Sequence, residues 1–241
     1  MWTVGLGMGA AMAAMPAIAS ADTSPPIDPF ALIDPLAAMD PAASINLNDI
    51  AISIDGVTLF QQGTASATSG TGDIAIAIGD HSSATAFNGL FDTATAIGDG
   101  SSAAAHDGMF DTATAIGNDS QALAFLGNSD SATSIGGAAF TEAFSGNGDV
   151  ASVFGNSSSA VAFFGNNDVA EVFANTFSHA TAGGALGGSN DFAAVFDLFG
   201  TAGSSAIAGE GGNFDFAAAL ADGLTANAIT HDFIVDILPM L

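Results

Sequence analysis

The sequence predicts an all-β fold, a parallel β-solenoid (β-roll) of about eight coils with a 19-residue period and a thin Ala/Gly core. Glycine and aspartate recur at a step of nineteen, and self-similarity at a fixed period is typical of stacked repeat architectures. The glycine recurs at Gly79, Gly98, Gly117, Gly136 and Gly155. The aspartate recurs at Asp73, Asp92, Asp111, Asp130, Asp149 and Asp168, and Asp191 and Asp215 follow at longer steps.

A second observation is that each repeat contains two short runs with the period-two pattern of strands, such as Thr93–Ile97 and Ser102–His106. Aligned copies keep alanine or another small residue at two alternate positions of each run. Because side chains two apart share one face of a strand, these small columns predict the inside of a thin two-sheet roll. Glycines between the runs predict turns with positive φ. They include a second column at Gly89, Gly108, Gly127, Gly146 and Gly165.

Composition excludes several classes of function. The 241 residues include no Lys, Arg, Cys or Tyr, and the formal net charge is −25. Such a chain cannot neutralise phosphate, which argues against nucleic acid as a partner, and it lacks the basic clusters that recognise anionic lipid. Without cysteine there is no disulfide and no thiolate metal site. The negative charge of the carboxylates must therefore be offset by backbone N–H groups, by protonation or by bound cations.

The N-terminal part of the chain differs in composition from the repeats. Residues 1–21 form an apolar run that ends Ala19-Ser20-Ala21, which predicts a signal peptide and a secreted or cell-surface location. The run lacks the usual N-terminal positive charge, which suggests an upstream start or inefficient export. It is also short for a membrane span, so no direct span is expected in the mature chain. Residues 22–48 contain three Asp-Pro pairs six apart and predict a semi-rigid linker.

The ends of the repeat array predict caps. Residues 49–71 begin with isoleucines alternating with small or polar residues, followed by Asp55-Gly56, which is a hairpin signal. A cap hairpin here would cover the open sheet edge of the first coil. Solenoid repeats are predicted over residues 72–223. Residues 224–241 leave the pattern and are predicted to fold over the final coil as a C-terminal cap.

The phrase from Ala94 to Ala105, ATAIGDGSSAAA, resembles the head repeats of trimeric autotransporter adhesins, the YadA-like heads. Residues 75–86, 113–124 and 151–162 match it in the same way, and the resemblance covers about Gly72 to Asp197. It implies a left-handed parallel β-roll that acts in adhesion or surface display and forms trimers. The period of nineteen is longer than that of the family's coil.

The aspartate column is the candidate site. Carboxylates stacked about 5 Å apart repel each other by roughly 1 kcal/mol per neighbour even in water, so something must offset the repulsion. One interpretation is that each aspartate accepts hydrogen bonds from turn N–H groups before its strand. The other is a calcium site, since calcium prefers oxygen ligands. Its ligands would be Asp73, Asp92, Asp111, Asp130, Asp149 and Asp168, with calcium the one cofactor considered.

Other columns carry weaker signals. An outward T-x-T array is predicted on three coils, as an ordinary solvated face with ice binding as the alternative. Its pairs are Thr93 and Thr95, Thr112 and Thr114, and Ser131 and Thr133. Histidines fall in different columns with no metal-ligand spacing or catalytic motif, so no catalytic residue and no enzyme activity is predicted; they are His81, His106, His179 and His231. A phenylalanine column, interrupted by His106, predicts either an inward corner ladder or an exposed apolar stripe. Its members are Phe87, Phe125, Phe144 and Phe163.

Outward apolar positions predict a homo-oligomer, trimer first and dimer second, because an alanine core buries little apolar area per coil. They are Ile74, Ile76, Val150 and Val169 in the first strand of the repeat, and Leu123 and Val161 in the second. The sequence therefore predicts an exported structural repeat protein for surface display, adhesion or self-association. The alternative is a calcium-stabilised ligand-binding β-roll module, and any surface ligand is unknown.

Overall fold

The computed structural model describes residues 48–174, 177–184, 188–197, 202–209, 213–228 and 233–236. All of them belong to one compact unit, residues 40–241. The predicted signal peptide, residues 1–21, and all but the last residue of the predicted linker, residues 22–48, lie outside the described residues. The described part of the chain contains strands and no helix, and thus no helix there is long and apolar enough to cross a membrane.

The described residues form twenty strands in a β-solenoid of about eight turns, which confirms the predicted fold class. The first ten strands are β1 (Ile50–Ile54), β2 (Val57–Gln62), β3 (Ser66–Ser69), β4 (Ile74–Ile78), β5 (Ser83–Phe87), β6 (Thr93–Ile97), β7 (Ser102–His106), β8 (Thr112–Ile116), β9 (Gln121–Phe125) and β10 (Ser131–Ile135). The last ten are β11 (Phe140–Phe144), β12 (Val150–Phe154), β13 (Ser159–Phe163), β14 (Val169–Ala174), β15 (His179–Gly183), β16 (Phe192–Asp197), β17 (Ser205–Ala208), β18 (Phe216–Ala219), β19 (Thr225–Ala228) and β20 (Phe233–Asp236).

The strands divide between two sheets. Sheet A has eleven strands in the order β2-β1-β4-β6-β8-β10-β12-β14-β16-β18-β20, and sheet B has nine in the order β3-β5-β7-β9-β11-β13-β15-β17-β19. Successive coils pair in parallel in both sheets, and Ala94 lies between Ala75 and Ala113 in sheet A. The sequence step of nineteen is therefore the register of the solenoid, and equivalent residues stack in columns.

The core is a double layer of alanine. Nearly every inward position of the strands is alanine with essentially no exposed surface, and the largest fully buried apolar side chains are Val153, Val172 and Val195. Outward positions alternate with these and are half-buried, as in β6. This pattern confirms the prediction that the small columns face the inside of a thin two-sheet roll.

The N-terminal end carries the predicted hairpin. β1 and β2 pair antiparallel, and β1 also pairs antiparallel with β4, so the hairpin extends sheet A past the first coil. All six residues of β2 are exposed. The predicted cap region also contains β3, which pairs in parallel with β5 and is the first strand of sheet B.

The C-terminal segment differs from the predicted cap over residues 224–241. β19 pairs in parallel with β17, and β20 pairs in parallel with β18, so sheet B continues to Ala228 and sheet A continues to Asp236. Ala226 and Ala228 keep the inward small positions, and Phe233 stacks on Phe216 with ring centroids 4.5 Å apart. The inward alanines continue the repeat after the regularly spaced aspartates and glycines have ended. The sequence prediction followed the aspartates and glycines, and it therefore placed the end of the repeats too early. Residues 237–241 lie outside the described part.

The two glycine columns have different roles. The column that includes Gly98 and Gly117 has positive φ, 123° and 122° at these two residues, as predicted. The second column, which includes Gly127, does not, and that part of the prediction is wrong. In these turns the left-handed conformation is adopted by residues that flank the glycine, such as Leu126 and Ser129.

Candidate functional site

The aspartate column forms a continuous hydrogen-bonded ladder inside the solenoid. The backbone N–H of Asp111 donates to Oδ1 of Asp92 at 3.0 Å, and the N–H of Asp130 donates to Oδ1 of Asp111 at 3.0 Å. The same bond joins the other successive members from Asp73 to Asp215. The donor is thus the equivalent residue of the next coil rather than a turn N–H of the same coil.

The position of each aspartate at the entry to a sheet A strand explains this arrangement. The residue after it begins the ladder of backbone bonds, as when the N–H of Thr93 donates to the carbonyl of Asp111 at 2.9 Å. The aspartate's own N–H instead donates to the carboxylate of the preceding coil. A side-chain acceptor at this position satisfies a buried N–H, which would otherwise cost stability.

The second carboxylate oxygen of each aspartate has a different environment. Oδ2 is buried and has no hydrogen-bond partner in six members of the column, whose residues have at most 1% of their surface exposed. The six are Asp73, Asp92, Asp111, Asp130, Asp149 and Asp168. Five of these oxygens lie against a glycine three residues earlier, where a Cβ atom would collide with Oδ2 and with a backbone carbonyl of the next coil; at Asp73 the equivalent glycine is Gly70, and a Cβ there would crowd Oδ2 alone.

Burial makes the ionised form of these groups unfavourable. Desolvation raises the pKa of Asp111 to about 7, that of Asp130 to about 6 and that of Asp168 to about 7. Neighbouring carboxylates raise these pKa values further, whereas the backbone N–H bonds oppose the shift. Desolvation also raises the pKa of Asp92 and of Asp149. A chain without Lys or Arg offers no strong cation to keep them charged.

Calcium at this column stays a prediction. Among the described residues, no three or more His, Cys, Asp or Glu side chains are grouped so as to hold a metal ion. Each aspartate of the column from Asp73 to Asp191 uses Oδ1 to accept a backbone N–H. A glycine lies against Oδ2 in most of these coils. The hydrogen bonds account for the stacking of the column without an ion.

A polar groove runs along the turns outside this column. It has a volume of about 550 Å³, and its floor contains the second glycine column. One wall is an amide ladder in which Asn128 donates to Asn147, and Asn147 donates to Asn166, at 2.8 Å each. The sequence analysis did not identify this ladder, although asparagine recurs there at a step of nineteen.

Serines in the other turns form a second feature that the sequence analysis missed. The hydroxyls of Ser82, Ser101 and Ser120 donate to the carbonyls of Gly79, Gly98 and Gly117 at 2.8, 2.9 and 3.1 Å. All three serines are buried. Their regular spacing, three residues after the glycine with positive φ, was the available signal.

The outer face of sheet B carries the predicted apolar positions. Leu123, Glu142 and Val161 occupy one column of the parallel register, and all three are half-buried. The phenylalanine column lies beside it on the same outer face, half-buried, with ring centroids of neighbours 5.1 to 5.6 Å apart. The column therefore lies outside the alanine core, and the inward alternative is wrong.

The histidines that the structure describes lie apart from one another. His81 contacts Asp80, and His106 contacts Asp107, each with Nδ1 2.8 Å from a carboxylate oxygen. His179 lies 2.6 Å from the hydroxyl of Thr181, and burial lowers its pKa. His231 lies outside the described residues.

The comparisons with known proteins return no relatives: no family model, no curated protein and no solved structure matches this chain.

Proposed function

We propose that this chain is an exported structural repeat protein, without catalytic activity, that associates with further copies of itself through the outer face of sheet B. The observation that carries the proposal is the apolar column at Leu123 and Val161 with the aromatic stack beside it. These side chains lie on strands whose inward positions are alanine or, at Thr141, threonine, so they lie outside the core.

The distribution of charge allows contact through this face. The chain carries a net charge of −25, and copies can approach closely only where few carboxylates meet. Outward positions of the described sheet B strands include one carboxylate, that of Glu142.

The size of this face is adequate for association. Nine strands spaced about 4.8 Å apart, each about 17 Å long, cover roughly 700 Å². A stable interface buries about 800 Å² on each partner. A side-by-side arrangement of two or three copies is therefore of the right size, and display of such assemblies outside the cell follows from the predicted export.

Sedimentation of the mature chain tests the proposal. We expect a trimer or dimer at micromolar concentration, and we expect the L123E/V161E variant to be monomeric with unchanged β-sheet content. The matched control is T95E/T133E, which adds two carboxylates to the outer face of sheet A and should leave the assembly intact. A monomeric wild type, or an L123E/V161E variant that still assembles, would refute the proposal. Repeating the runs with calcium and with a chelator tests the calcium prediction on the same samples.

A further inference from the structure

Glu142 lies at the centre of the apolar face of sheet B. It is the middle outward residue of β11, between Phe140 and Phe144 on its own strand. Its Cα partners on the neighbouring strands are Leu123 and Val161. Apolar side chains thus flank this carboxylate along the strand and across the sheet.

A second copy of the chain cannot supply a strong cation to this carboxylate, because the sequence contains no Lys or Arg. An ionised carboxylate buried against apolar groups without a partner is strongly unfavourable. The neutral acid costs much less and can share hydrogen bonds with a carboxyl group of the other copy. Burial already raises the pKa of Glu142 in the single chain, and contact with a second copy would raise it further.

Other titratable groups are distant from this position. The strands packed against β11 are β9 and β13 in its own sheet and β10 and β12 across the core, and none of the four carries an ionisable residue. Asp130 and Asp149 precede β10 and β12 and are buried in the aspartate ladder. His106 and His179 lie on β7 and β15, each two strands away along sheet B. Glu142 is therefore the one carboxylate on the described outer face of sheet B, and His106 and His179 are the other titratable side chains of its strands.

We propose that protonation of Glu142 controls association of copies through the outer face of sheet B, so that assembly is strong in mildly acidic solution and weak at neutral pH. The inference rests on the proposed function, since it assigns a regulating residue to the same surface. It also assigns a role to the one carboxylate in this column, which stands between Leu123 and Val161.

Sheet A offers a matched control. Glu171 is an outward residue of β14 between Ser152 and Ala194 in the parallel register, and burial raises its pKa as well. It lies on the face that the proposal leaves free of contacts. Replacing it with glutamine removes the same charge from the chain without changing the interface.

The experiment is sedimentation equilibrium of wild type, E142Q and E171Q at pH 7.5 and pH 5.5. For wild type and E171Q we expect the association constant to rise about tenfold or more at pH 5.5, since one pKa unit corresponds to a factor of ten. E142Q should associate at pH 7.5 nearly as strongly as wild type does at pH 5.5. Its association constant should change much less between the two pH values.

The outcomes separate this inference from the proposed function. If wild type associates, and the ratio of its association constants at pH 5.5 and pH 7.5 is the same in E142Q, the role of Glu142 is overturned. Self-association of the chain then still stands. If the association constant loses its pH dependence in E171Q as well as in E142Q, the role of Glu142 is also overturned, because the net charge of the chain would then control association. If wild type and E142Q remain monomeric at both pH values, the proposed self-association fails, and the inference fails with it.

Discussion

The carboxylate of Asp111 has two oxygens with opposite environments. Oδ1 accepts the buried N–H of Asp130, whereas Oδ2 is buried with no hydrogen-bond partner. The first contact is available to a neutral or an ionised acid, but burial of the second oxygen favours the neutral acid. The repeated aspartate is therefore a structural acceptor that tends to hold a proton.

We predict that the fold becomes less stable as pH rises from about 4.5 to 7.5. An unperturbed aspartate has a pKa of about 3.9, and the folded values of Asp111, Asp130 and Asp168 are raised to about 7, 6 and 7. Between these values the folded chain binds more protons than the unfolded chain. The stabilisation is thus complete below about pH 4 and is lost as pH rises through 6 to 7.

Thermal melts at a series of pH values measure this effect. A fall of several degrees in Tm is expected, because about 1 kcal/mol shifts Tm by roughly 2–4 °C in a chain of this size. The D111N/D130N/D168N variant keeps the Oδ1 acceptors but cannot titrate at these positions, and its Tm should vary less with pH. A wild-type Tm that increases from pH 4.5 to 7.5 would show that the column is stable as carboxylates.

The glycine before each aspartate is predicted to be sterically required. A Cβ atom at Gly127 would collide with Oδ2 of Asp130 and with the carbonyl of Gly146, so Gly127→Ala should destabilise by about 1–3 kcal/mol or more. Gly137→Ala is the control, because the nearest atom to its Cβ would be 3.3 Å away and its φ is not positive. Equal losses of stability in chemical denaturation of the two variants would contradict this reading.

At the scale of strands, the sequence predicted the period, the inward alanines and the hairpin at residues 50–62. Those features depend on the alternation of residue types along each strand and on the nineteen-residue step, and both can be seen in the amino-acid sequence. The acceptor role of Asp111 toward the next coil was not predicted, because the donor is nineteen residues away. The conformation at Leu126 was missed for a related reason, since the crowding that excludes a side chain from Gly127 comes from neighbouring coils.

Deleting one coil tests the register. Removal of residues 91–109 deletes β6 and β7 and joins Leu90 to Phe110, which occupy positions that keep every column aligned. Each coil contacts its neighbours, so the shortened chain should fold with a cooperative melt. Removal of residues 91–100 deletes β6 alone and shifts the inward alanines out of register, and this variant should lose most of its stability. Equal stability of the two deletions would contradict the repeat assignment.

At the scale of the whole molecule, the solenoid presents two outer faces of different character. Sheet A has threonines at the centre of its face in β6 and β8 and a phenylalanine stack, Phe154, Phe173 and Phe196, in β12, β14 and β16. Sheet B has Leu123, Glu142 and Val161 at the centre of its face. The predicted T-x-T array does lie on the outer face of sheet A, where its threonines are half-buried. The central claim of the proposed function is that copies meet through sheet B and not through sheet A.

Spin labels on single cysteines test that claim directly, because the natural chain contains no cysteine. Ala104→Cys places a label on the outer face of sheet B, and Thr114→Cys places one on the outer face of sheet A. Packed sheets lie about 10 Å apart, so at pH 5.5 we expect strong intermolecular dipolar coupling between Ala104→Cys labels and much weaker coupling between Thr114→Cys labels. Coupling that is equal at the two positions, or stronger at Thr114→Cys, would contradict association through sheet B.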